Sequence, residues 1–348
     1  MAQAAVVRFD SWVDPVFDQT LRAEPGIALS VQAMPADAAA ARAALREARV
    51  FHVSAAKDEL PAHCHVSEAL LAECPALLCV SSYGAGYDPI DVAACTRAGI
   101  AVVNQSGGNA VSVAEHTLGL ILAVTHRIAE SDRRLRTERG FSRESLTGTE
   151  IAGKTLGLVG IGHIGRRVAA LAAAFGMRVL ASDPLLADAE IAARGAQPVA
   201  LDTLLAQADI VSLHCPRDAR TLRLIDAAAI AGMKRGAVFI STARGGIHDE
   251  QALAQALAEG RLAGAGLDVW DREPPPLDHP LLGLPTVVAT YHTAGVTHEA
   301  RRNMARISAE QIIAVLAGQR PPRLVNPEVW PAYAERFAAA FGRRPGPD

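Results

Sequence analysis

The strongest constraint on the fold of this chain is a glycine-rich turn between an apolar strand pattern and a helix pattern. The apolar run Thr155–Val159 leads directly into Gly160-x-Gly162-x-x-Gly165, and an Ala- and Leu-rich stretch follows to about Phe175. The first glycine permits a tight turn, the second lets backbone approach a pyrophosphate, and the third lets helix and strand pack closely. The helix N-terminus adds N–H groups and the positive end of its dipole. The turn therefore predicts a dinucleotide-binding site.

An acidic residue at the end of the next strand pattern supports this prediction. That pattern begins at Arg178 and ends in Asp183, 18 residues after Gly165. A carboxylate there can accept hydrogen bonds from a ribose diol, and it repels a 2′-phosphate. Arg178 lies at the wrong end of the strand to neutralise such a phosphate. An isolated GxGxxG also occurs in ordinary βα turns, but strand, helix and acid together favour NAD over NADP.

The composition describes a globular chain and excludes several classes of protein. The chain has 348 residues, half of them hydrophobic, and a net charge of −3, so we expect about two domains. The arginines are scattered, which excludes a nucleic-acid partner, and no 18-residue apolar stretch predicts a membrane span. Acidic residues precede any long apolar run, so we expect no signal peptide. Five cysteines without a CxxC pair predict a cytoplasmic location and no metal site.

Strand and helix patterns alternate along the chain, which predicts parallel sheets with right-handed crossovers. The polar, glycine-rich stretch 104–109 is typical of a hinge. A long amphipathic helix pattern at about 298–316 follows the last strand, and we expect it to pack back onto the first domain. The predicted fold class is α/β, with two doubly wound parallel-sheet domains. We assign residues 1–104 and 297–335 to a substrate domain, 105–296 to an NAD-binding domain, and 336–348 to a disordered tail.

Three reactive side chains each follow a strand pattern in the second half of the chain: Arg244, Glu273 and His292. Taken singly, Glu273 and His292 are most simply a surface acid and a structural histidine, whereas for Arg244 a solvated loop arginine is the alternative to a ligand-binding role. In open α/β sheets, however, ligands bind at the carboxyl ends of the strands. One cation, one acid and one histidine at that edge of a dinucleotide-binding sheet predict a shared cleft, in which the guanidinium can bind a carboxylate bidentately.

These motifs together resemble the NAD-dependent D-2-hydroxyacid dehydrogenases, a family that includes phosphoglycerate dehydrogenases and glyoxylate–hydroxypyruvate reductases. The resemblance covers about residues 50 to 327. It rests on 157–165, 214–216, 242–246, 268–274 and 292–295, and upstream on 83–86, Asn104 and 113–116. It implies a flavodoxin-like substrate domain, a Rossmann domain, an active site between them, and a homodimer held by the coenzyme domains.

The resemblance also assigns roles to the three reactive residues. His292 would be the acid that protonates the carbonyl oxygen of a 2-oxo acid, and the base in oxidation. Glu273 would hydrogen-bond the other ring nitrogen, fix the tautomer and favour the protonated ring. Arg244 would bind the substrate's carboxylate and polarise its carbonyl, with backbone N–H groups of 84–86 as a second grip.

The ligands implied are NAD and a small 2-oxo or 2-hydroxy acid. Asp268 would contact the nicotinamide carboxamide, and Thr242 and Ala243 would line the nicotinamide. The full set of predicted cofactor contacts is Gly160, Gly162, His163, Ile164, Asp183, His214, Cys215, Pro216, Thr221, Thr242, Ala243, Arg244, Asp268 and His292. The predicted substrate contacts are Tyr83, Gly84, Ala85, Gly86, Arg244 and His292.

Departures from the family pattern keep alternatives open. Tyr291 stands where many relatives have proline, and we expect no regulatory domain of the kind that many phosphoglycerate dehydrogenases carry. Formate dehydrogenases carry glutamine where Glu273 stands, which argues against that activity. The alternatives are an NAD(H)-sensing interaction protein of the corepressor type, and a dehydrogenase of a phosphorylated or phosphite-like substrate. Residues 52–57 and 82–88 and the Tyr291 region are the candidates for substrate choice.

Overall fold

Two parallel β-sheets organise the protein in the computed structural model, which describes residues 3–346. The chain forms two compact units, one from residues 1–109 and 297–348 and the other from 110–296. We call them unit 1 and unit 2. The prediction of two doubly wound parallel-sheet α/β domains is confirmed.

The elements alternate along the chain as the sequence predicts. The strands are β1 (Ala4–Phe9), β2 (Ile27–Gln32), β3 (Val50–Val53), β4 (Cys79–Ser82), β5 (Ala101–Val103), β6 (Thr155–Val159), β7 (Arg178–Ser182), β8 (Gln197–Pro198), β9 (Ile210–Leu213), β10 (Val238–Ser241), β11 (Gly264–Leu267) and β12 (Val287–Ala289). The helices are α1 (Val16–Ala23), α2 (Ala38–Leu45), α3 (Glu68–Ala72), α4 (Val92–Arg97), α5 (Ala110–Thr125), α6 (Ile128–Thr137), α7 (Gly165–Ala174), α8 (Asp188–Ala193), α9 (Leu201–Gln207), α10 (Ala227–Gly232), α11 (Glu250–Ala258), α12 (His298–Leu316) and α13 (Trp330–Phe341).

The sheet of unit 1 has the strand order β2-β1-β3-β4-β5, with every pair parallel. This is the flavodoxin-like order. Parallel sheets are buried on both faces, and one face here is covered by α12, whose Ala305, Ile312 and Val315 pack with Val50 and Cys79. Helix α12 begins at a capping residue, Thr297, whose hydroxyl accepts from the Ala300 N–H at 3.1 Å. Helix α12 therefore completes the core of unit 1.

The sheet of unit 2 has the order β12-β11-β10-β9-β6-β7-β8, again all parallel. Counted from β6, the first six strands have the Rossmann order 3-2-1-4-5-6, and β12 extends it by one strand. The order reverses between β6 and β9. A crevice at the carboxyl ends of these two strands is the usual nucleotide position in such sheets.

The first boundary between the units lies five residues later than predicted, after Asn109 rather than after Asn104. The polar, glycine-rich composition of 104–109 does not indicate the hydrogen bonds that this segment makes within unit 1. Gln105 donates from its backbone N–H to the Gly84 carbonyl at 2.8 Å and from its side chain to the Ser82 carbonyl at 2.9 Å. Gln311 on α12 donates to the Asn104 carbonyl at 2.8 Å. These bonds hold the segment on unit 1.

The prediction of a disordered tail from residue 336 is wrong through Phe341, because α13 runs to that residue. Trp330, Tyr333 and Phe337 are buried on one face of α13, and the Tyr333 hydroxyl donates to the Val315 carbonyl at 2.6 Å. Aromatic residues three and four positions apart are a helix signal that the basic, proline-containing end of the chain obscured. Positions 347 and 348 of the predicted tail lie outside the described residues. Within residues 3–346, none of the helices is both long and apolar enough to cross a membrane.

A buried histidine makes the stability of unit 1 sensitive to acid. His52 on β3 is 3% exposed and stacks on Phe17 with ring centroids 4.3 Å apart. Burial, together with the charge of Arg8, outweighs the hydrogen bond to Ser81 and lowers the pKa of His52 to about 3. The unfolded chain then takes up a proton near pH 6.5, where the folded chain does not. His52 therefore leaves the free energy of unfolding at its full value above about pH 6.5, and it lowers that free energy progressively as the pH falls towards 3.

We expect His52→Gln to reduce the acid sensitivity of unfolding. Below about pH 6.5 the wild-type chain should lose up to about 1.4 kcal/mol per pH unit from this group, and the variant should not. The measurement is the urea unfolding midpoint at pH 7.5, 6.0 and 5.0. Exposed His126→Gln is the matched control. Parallel curves for wild type and His52→Gln would show that His52 carries no such linkage.

Candidate functional site

The glycine turn after β6 is shaped by two close contacts and one open position. Gly160 has φ +90°, and a Cβ there would lie 2.9 Å from the Cys215 backbone nitrogen. A Cβ on Gly165 would lie 2.5 Å from the Gly160 carbonyl oxygen, whereas nothing lies within 4 Å of one on Gly162. Helix α7 begins after Ile164 without a side-chain cap, so its first turn can serve an anion. The turn leaves room for a pyrophosphate beside Gly162.

Two neighbouring side chains of this turn have partners of their own. The His163 Nδ1 lies 3.2 Å from an Arg166 guanidinium nitrogen. Asp183 follows β7, and its carboxylate accepts from the Ile161 N–H at 3.0 Å and from the Leu185 N–H at 3.1 Å. These two bonds fix the carboxylate beside the glycine turn, and a carboxylate keeps further acceptor positions for a ribose diol. The geometry fits the predicted preference for NAD.

The end of β9 supplies an unpaired polar atom next to the turn. The His214 Nε2 lies 2.9 Å from the Ser212 hydroxyl, while its Nδ1 is buried without a hydrogen-bond partner. Burial lowers the pKa of His214 to about 3, so the ring is neutral at physiological pH. A buried nitrogen without a partner is rare in a folded chain, and a polar ligand group in the crevice would satisfy it.

The Thr221 hydroxyl links two parts of the loop that follows β9. Thr221 donates to the Pro216 carbonyl at 2.7 Å and accepts from the Asp218 N–H at 2.8 Å. The predicted contacts Cys215, Pro216 and Thr221 thus lie on one closed loop at the carboxyl end of β9. Together with the open position at Gly162 and the carboxylate of Asp183, these residues fit an NAD molecule.

Asp268 is 1% exposed and has a role that the sequence did not predict. One carboxylate oxygen accepts from the Thr290 hydroxyl at 2.6 Å and the Thr293 N–H at 2.8 Å, and the other accepts from the Ala294 N–H at 3.0 Å. The Asp268 carbonyl accepts from the His292 N–H at 2.7 Å. Asp268 therefore fixes the turn that follows β12. Its contact with the nicotinamide stays a prediction.

Thr242 and Ala243, predicted to line the nicotinamide, follow β10. Thr242 is buried, and its hydroxyl lies 3.1 Å from that of Thr117 on α5. His116, the neighbouring residue, lies 3.0 Å from the Thr290 hydroxyl through its Nε2. Helix α5 thereby contacts the loops after β10 and β12, and it braces both from the same side.

His292 and Glu273 form the pair that the sequence predicted. The His292 Nδ1 lies 2.8 Å from one Glu273 carboxylate oxygen, and the other oxygen accepts from the Trp270 N–H at 3.1 Å. His292 has φ +46°, a backbone conformation that residues other than glycine rarely adopt. Strained backbone of this kind persists where the surrounding structure enforces it, and Asp268 supplies that constraint here.

The charge state of Glu273 is set by its neighbours. Burial acts to raise the pKa of Glu273, but the hydrogen bond and charge of His292, the Trp270 N–H and the charge of Arg244 outweigh it. The net effect is a lowered pKa, so Glu273 is ionised and can stabilise a protonated imidazole. Arg244 is close enough to act on the same carboxylate.

Arg244 lies on a loop packed tightly against the Trp270 segment. A Cβ on Gly245 would lie 1.9 Å from the Trp270 carbonyl oxygen, so only glycine fits. The Gly246 N–H donates to the Asp271 carboxylate at 2.6 Å, and an Arg244 guanidinium nitrogen donates to the Ala243 carbonyl at 2.8 Å. The structure thus brings Arg244, Glu273 and His292 together at one edge of the unit 2 sheet.

The predicted substrate residues Tyr83, Gly84, Ala85 and Gly86 lie in unit 1, directly after β4. The Asn104 side chain donates to the Ala85 carbonyl at 2.8 Å, and the Tyr83 hydroxyl donates to the Arg301 carbonyl at 3.4 Å. The turn is well anchored, and its contact with a substrate stays a prediction. Among residues 3–346 no group of three or more His, Cys, Asp or Glu side chains is placed to hold a metal.

The sequence did not identify Trp270, Thr290, Glu250 or His279 as parts of this region. Trp270 lies within the 268–274 motif, and its local signal is a large apolar side chain between Asp268 and Asp271. No local signal pairs Glu250 with His279, since 29 residues separate them.

Comparison with known proteins gives consistent matches. Residues 118–294 match the family "D-isomer specific 2-hydroxyacid dehydrogenase, NAD binding domain". A glyoxylate reductase of Thermofilum pendens is 43% identical over 259 residues, which is 73% of this chain and 76% of that protein. A D-3-phosphoglycerate dehydrogenase of Mycobacterium leprae is 44% identical over 261 residues, 75% of this chain but 49% of that protein. The match therefore spans about half of that relative.

A solved structure extends the likeness to both units. The crystal structure of D-lactate dehydrogenase from Aquifex aeolicus, complexed with NAD and lactic acid, has a TM-score of 0.78 and 27% sequence identity. The alignment covers 92% of this chain and 98% of that one.

We expect Asp183→Ser to weaken NADH binding and to narrow the preference for NADH over NADPH. Loss of a charged hydrogen-bond acceptor costs about 1.5–3 kcal/mol, or roughly 10- to 150-fold in the dissociation constant. The measurement is a fluorescence titration with each coenzyme. Asp188→Ser, at the start of nearby α8, is the control. Unchanged NADH affinity in Asp183→Ser would contradict the assigned role of this carboxylate.

Proposed function

Because the chain belongs to the D-isomer specific 2-hydroxyacid dehydrogenase family, we propose that it interconverts a D-2-hydroxy acid and its 2-oxo acid with His292 as acid and base. NAD is the cofactor of this family's nucleotide-binding domain and takes up or supplies the hydride when bound. The observation that carries the proposal is the 2.8 Å contact between His292 and an ionised Glu273, beside the Arg244 loop.

The hydrogen bond to Glu273 decides which ring nitrogen exchanges a proton. Because Nδ1 donates to the carboxylate, Nε2 is the atom that can give a proton to a carbonyl oxygen. In the reductive direction Nε2–H donates that proton and the oxygen becomes a hydroxyl. In the oxidative direction Nε2 accepts it. Glu273 stays ionised throughout and stabilises the charged ring.

Arg244 is the proposed binding group for the carboxylate of the substrate. A guanidinium presents two parallel N–H donors that match a carboxylate. One of its nitrogens is already tied to the Ala243 carbonyl, which limits the movement of the side chain. The restricted geometry favours a fixed distance between the bound carboxylate and the carbonyl that His292 protonates.

The cofactor contacts follow from the turn and the loops already described. The 160–164 turn would hold the pyrophosphate and Asp183 the ribose, with His214, Cys215, Pro216 and Thr221 along the crevice. In unit 1, the 83–86 turn would offer backbone N–H groups to the substrate. These contacts remain part of the proposal.

Assembly and location complete the proposal. We extend the proposal to a homodimer held through unit 2, which the family resemblance implies. The cysteines of the described chain are free thiols, which fits a reducing cytoplasm. Light scattering coupled to size exclusion measures the assembly.

The direct test is NADH oxidation with a panel of 2-oxo acids: glyoxylate, pyruvate, hydroxypyruvate and phosphohydroxypyruvate. Turnover of one of them supports the proposal, and the order of kcat/KM values identifies the preferred substrate. Tight NADH binding without turnover of any acid would contradict it and favour a sensor of the NAD(H) pool.

We expect Glu273→Gln to move the pH–rate profile for reduction to more acidic pH. Reduction needs the protonated ring, which the Glu273 charge stabilises, so its removal shifts the descending limb downward by about one pH unit. The measurement is kcat and kcat/KM between pH 5 and 9, with exposed Glu259→Gln as the control. An unchanged profile in both parameters would count against the pairing.

We expect Arg244→Lys to raise KM for the 2-oxo acid by a larger factor than it raises the dissociation constant of NADH. Lysine keeps the charge but loses the two parallel donors, which should cost about 10- to 100-fold in kcat/KM. Exposed Arg272→Lys is the matched control. Equal losses in acid and NADH binding would place Arg244 outside the proposed role.

A further inference from the structure

A second carboxylate–imidazole pair lies behind the proposed active site. One Glu250 carboxylate oxygen lies 3.0 Å from the His279 Nε2, and the two side chains are 9% and 14% exposed. Glu250 opens α11, and His279 precedes the short 3₁₀ helix Pro280–Gly283. Neither residue has a part in the chemistry proposed above.

The hydrogen bonds of His279 define its tautomer. Its Nδ1 accepts from the Leu281 N–H at 3.3 Å, which caps the 3₁₀ helix. Nδ1 therefore carries no proton, and Nε2 is the donor to Glu250. His279 is thus neutral in this arrangement, and Glu250 is the acceptor.

The pair holds the segment from Trp270 to Glu273 in two ways. The second Glu250 oxygen accepts from the Asp271 N–H at 2.8 Å. The His279 ring packs edge-on against the Trp270 ring, with centroids 5.5 Å apart. Backbone and side chain of the same segment are therefore both fixed from behind.

The Trp270–Glu273 segment in turn contacts both parts of the proposed site, the Glu273–His292 pair and the Arg244 loop. In one direction, the Trp270 N–H donates to Glu273, which in turn contacts His292. In the other, the Asp271 carboxylate accepts from Gly246. The Gly245 backbone packs against the Trp270 carbonyl with no space for a side chain, so the Arg244 loop rests directly on this segment.

We propose that Glu250 and His279 are positioning residues, which keep Glu273 on His292 and hold the Arg244 loop in the geometry that the reaction needs. This inference rests on the proposed function and concerns the same site. Neither residue touches substrate or cofactor. Their effect passes through the Trp270–Glu273 segment.

The surroundings of Glu250 make its two hydrogen bonds necessary. Burial and the charge of Asp271 raise the pKa of Glu250, while the Asp271 N–H and His279 act to lower it. The neighbouring His248 is buried with both ring nitrogens unpartnered and faces the charges of Asp271 and Asp249. No cation contacts Glu250 among the described bonds and ion pairs of residues 3–346, so the carboxylate depends on its two donors.

The test is a set of variants of the full chain, assayed with NADH and the best 2-oxo acid of the panel. For Glu250→Ala we expect kcat/KM to fall about 10- to 100-fold, KM for the acid to rise, and the descending pH limb for reduction to move to lower pH. Glu250→Gln keeps an oxygen for the Asp271 N–H and should recover part of the loss. The dissociation constant of NADH should change by a smaller factor than KM for the acid. Exposed Glu259→Ala, directly after the end of α11, is the control.

A double variant separates positioning from general stability. If Glu250 acts through Glu273, the pH limb of Glu250→Ala/Glu273→Gln should lie no lower than that of Glu273→Gln alone. A limb that moves further in the double variant, or Glu250→Ala losing activity only in proportion to its folded fraction with KM and limb unmoved, would overturn the proposal.

Two further measurements keep the outcome decisive. If Glu250→Ala does not fold, His279→Asn tests the same pair, because asparagine can still cap the 3₁₀ helix but is too short to reach Glu250. An unmoved pH limb there overturns the proposal. If the wild type turns over no acid, NMR titration of the His292 ring in wild type and Glu250→Ala still decides it. A midpoint shifted to lower pH supports positioning while the proposed function fails, and an unshifted midpoint overturns positioning as well.

Discussion

The buried carboxylate of Asp268 is the interaction on which the reactive edge of unit 2 depends. Three donors from the segment 290–294 converge on it, and its own carbonyl accepts from His292. A carboxylate removed from water needs such donors, and their positions in turn determine the backbone of the turn. His292 therefore keeps a left-handed conformation that a residue of its kind would otherwise rarely adopt.

Around that turn, glycine sets the distances between loops. Gly245 meets the Trp270 carbonyl, and Gly160 meets the backbone at Cys215, each at a distance that excludes any side chain. Because these contacts join the loops after β10 and β11, and after β6 and β9, neighbouring strands present their ends as one surface. The glycine turn and the His292–Glu273 pair therefore lie at the same edge of one sheet. The Glu250–His279 pair reinforces the same surface from behind.

Much of the fold could be predicted because its signals are local. Strand–helix alternation and the glycine turn at 160–165 each act within a few residues, and the structure places these elements close to the expected positions. The failures occurred where a local signal misled. The composition of 104–109 is typical of a hinge, but this segment makes long-range hydrogen bonds to α12. The proline-containing end of the chain is typical of a disordered tail, but α13 buries aromatic residues there.

The sequence by itself determined the two parallel-sheet domains, and it was sufficient to predict an NAD site with Asp183 and the candidate set Arg244, Glu273 and His292, since each depends on residue type and order near a strand end. Only the tertiary structure decided which partners those residues have. The three donors to the Asp268 carboxylate and the bond from Glu250 to the Trp270–Glu273 segment join parts of the chain that are far apart in sequence. The buried Nδ1 of His214 without a partner is likewise visible only in the folded chain. Such contacts depend on how packed elements meet, and no local pattern of residues encodes that.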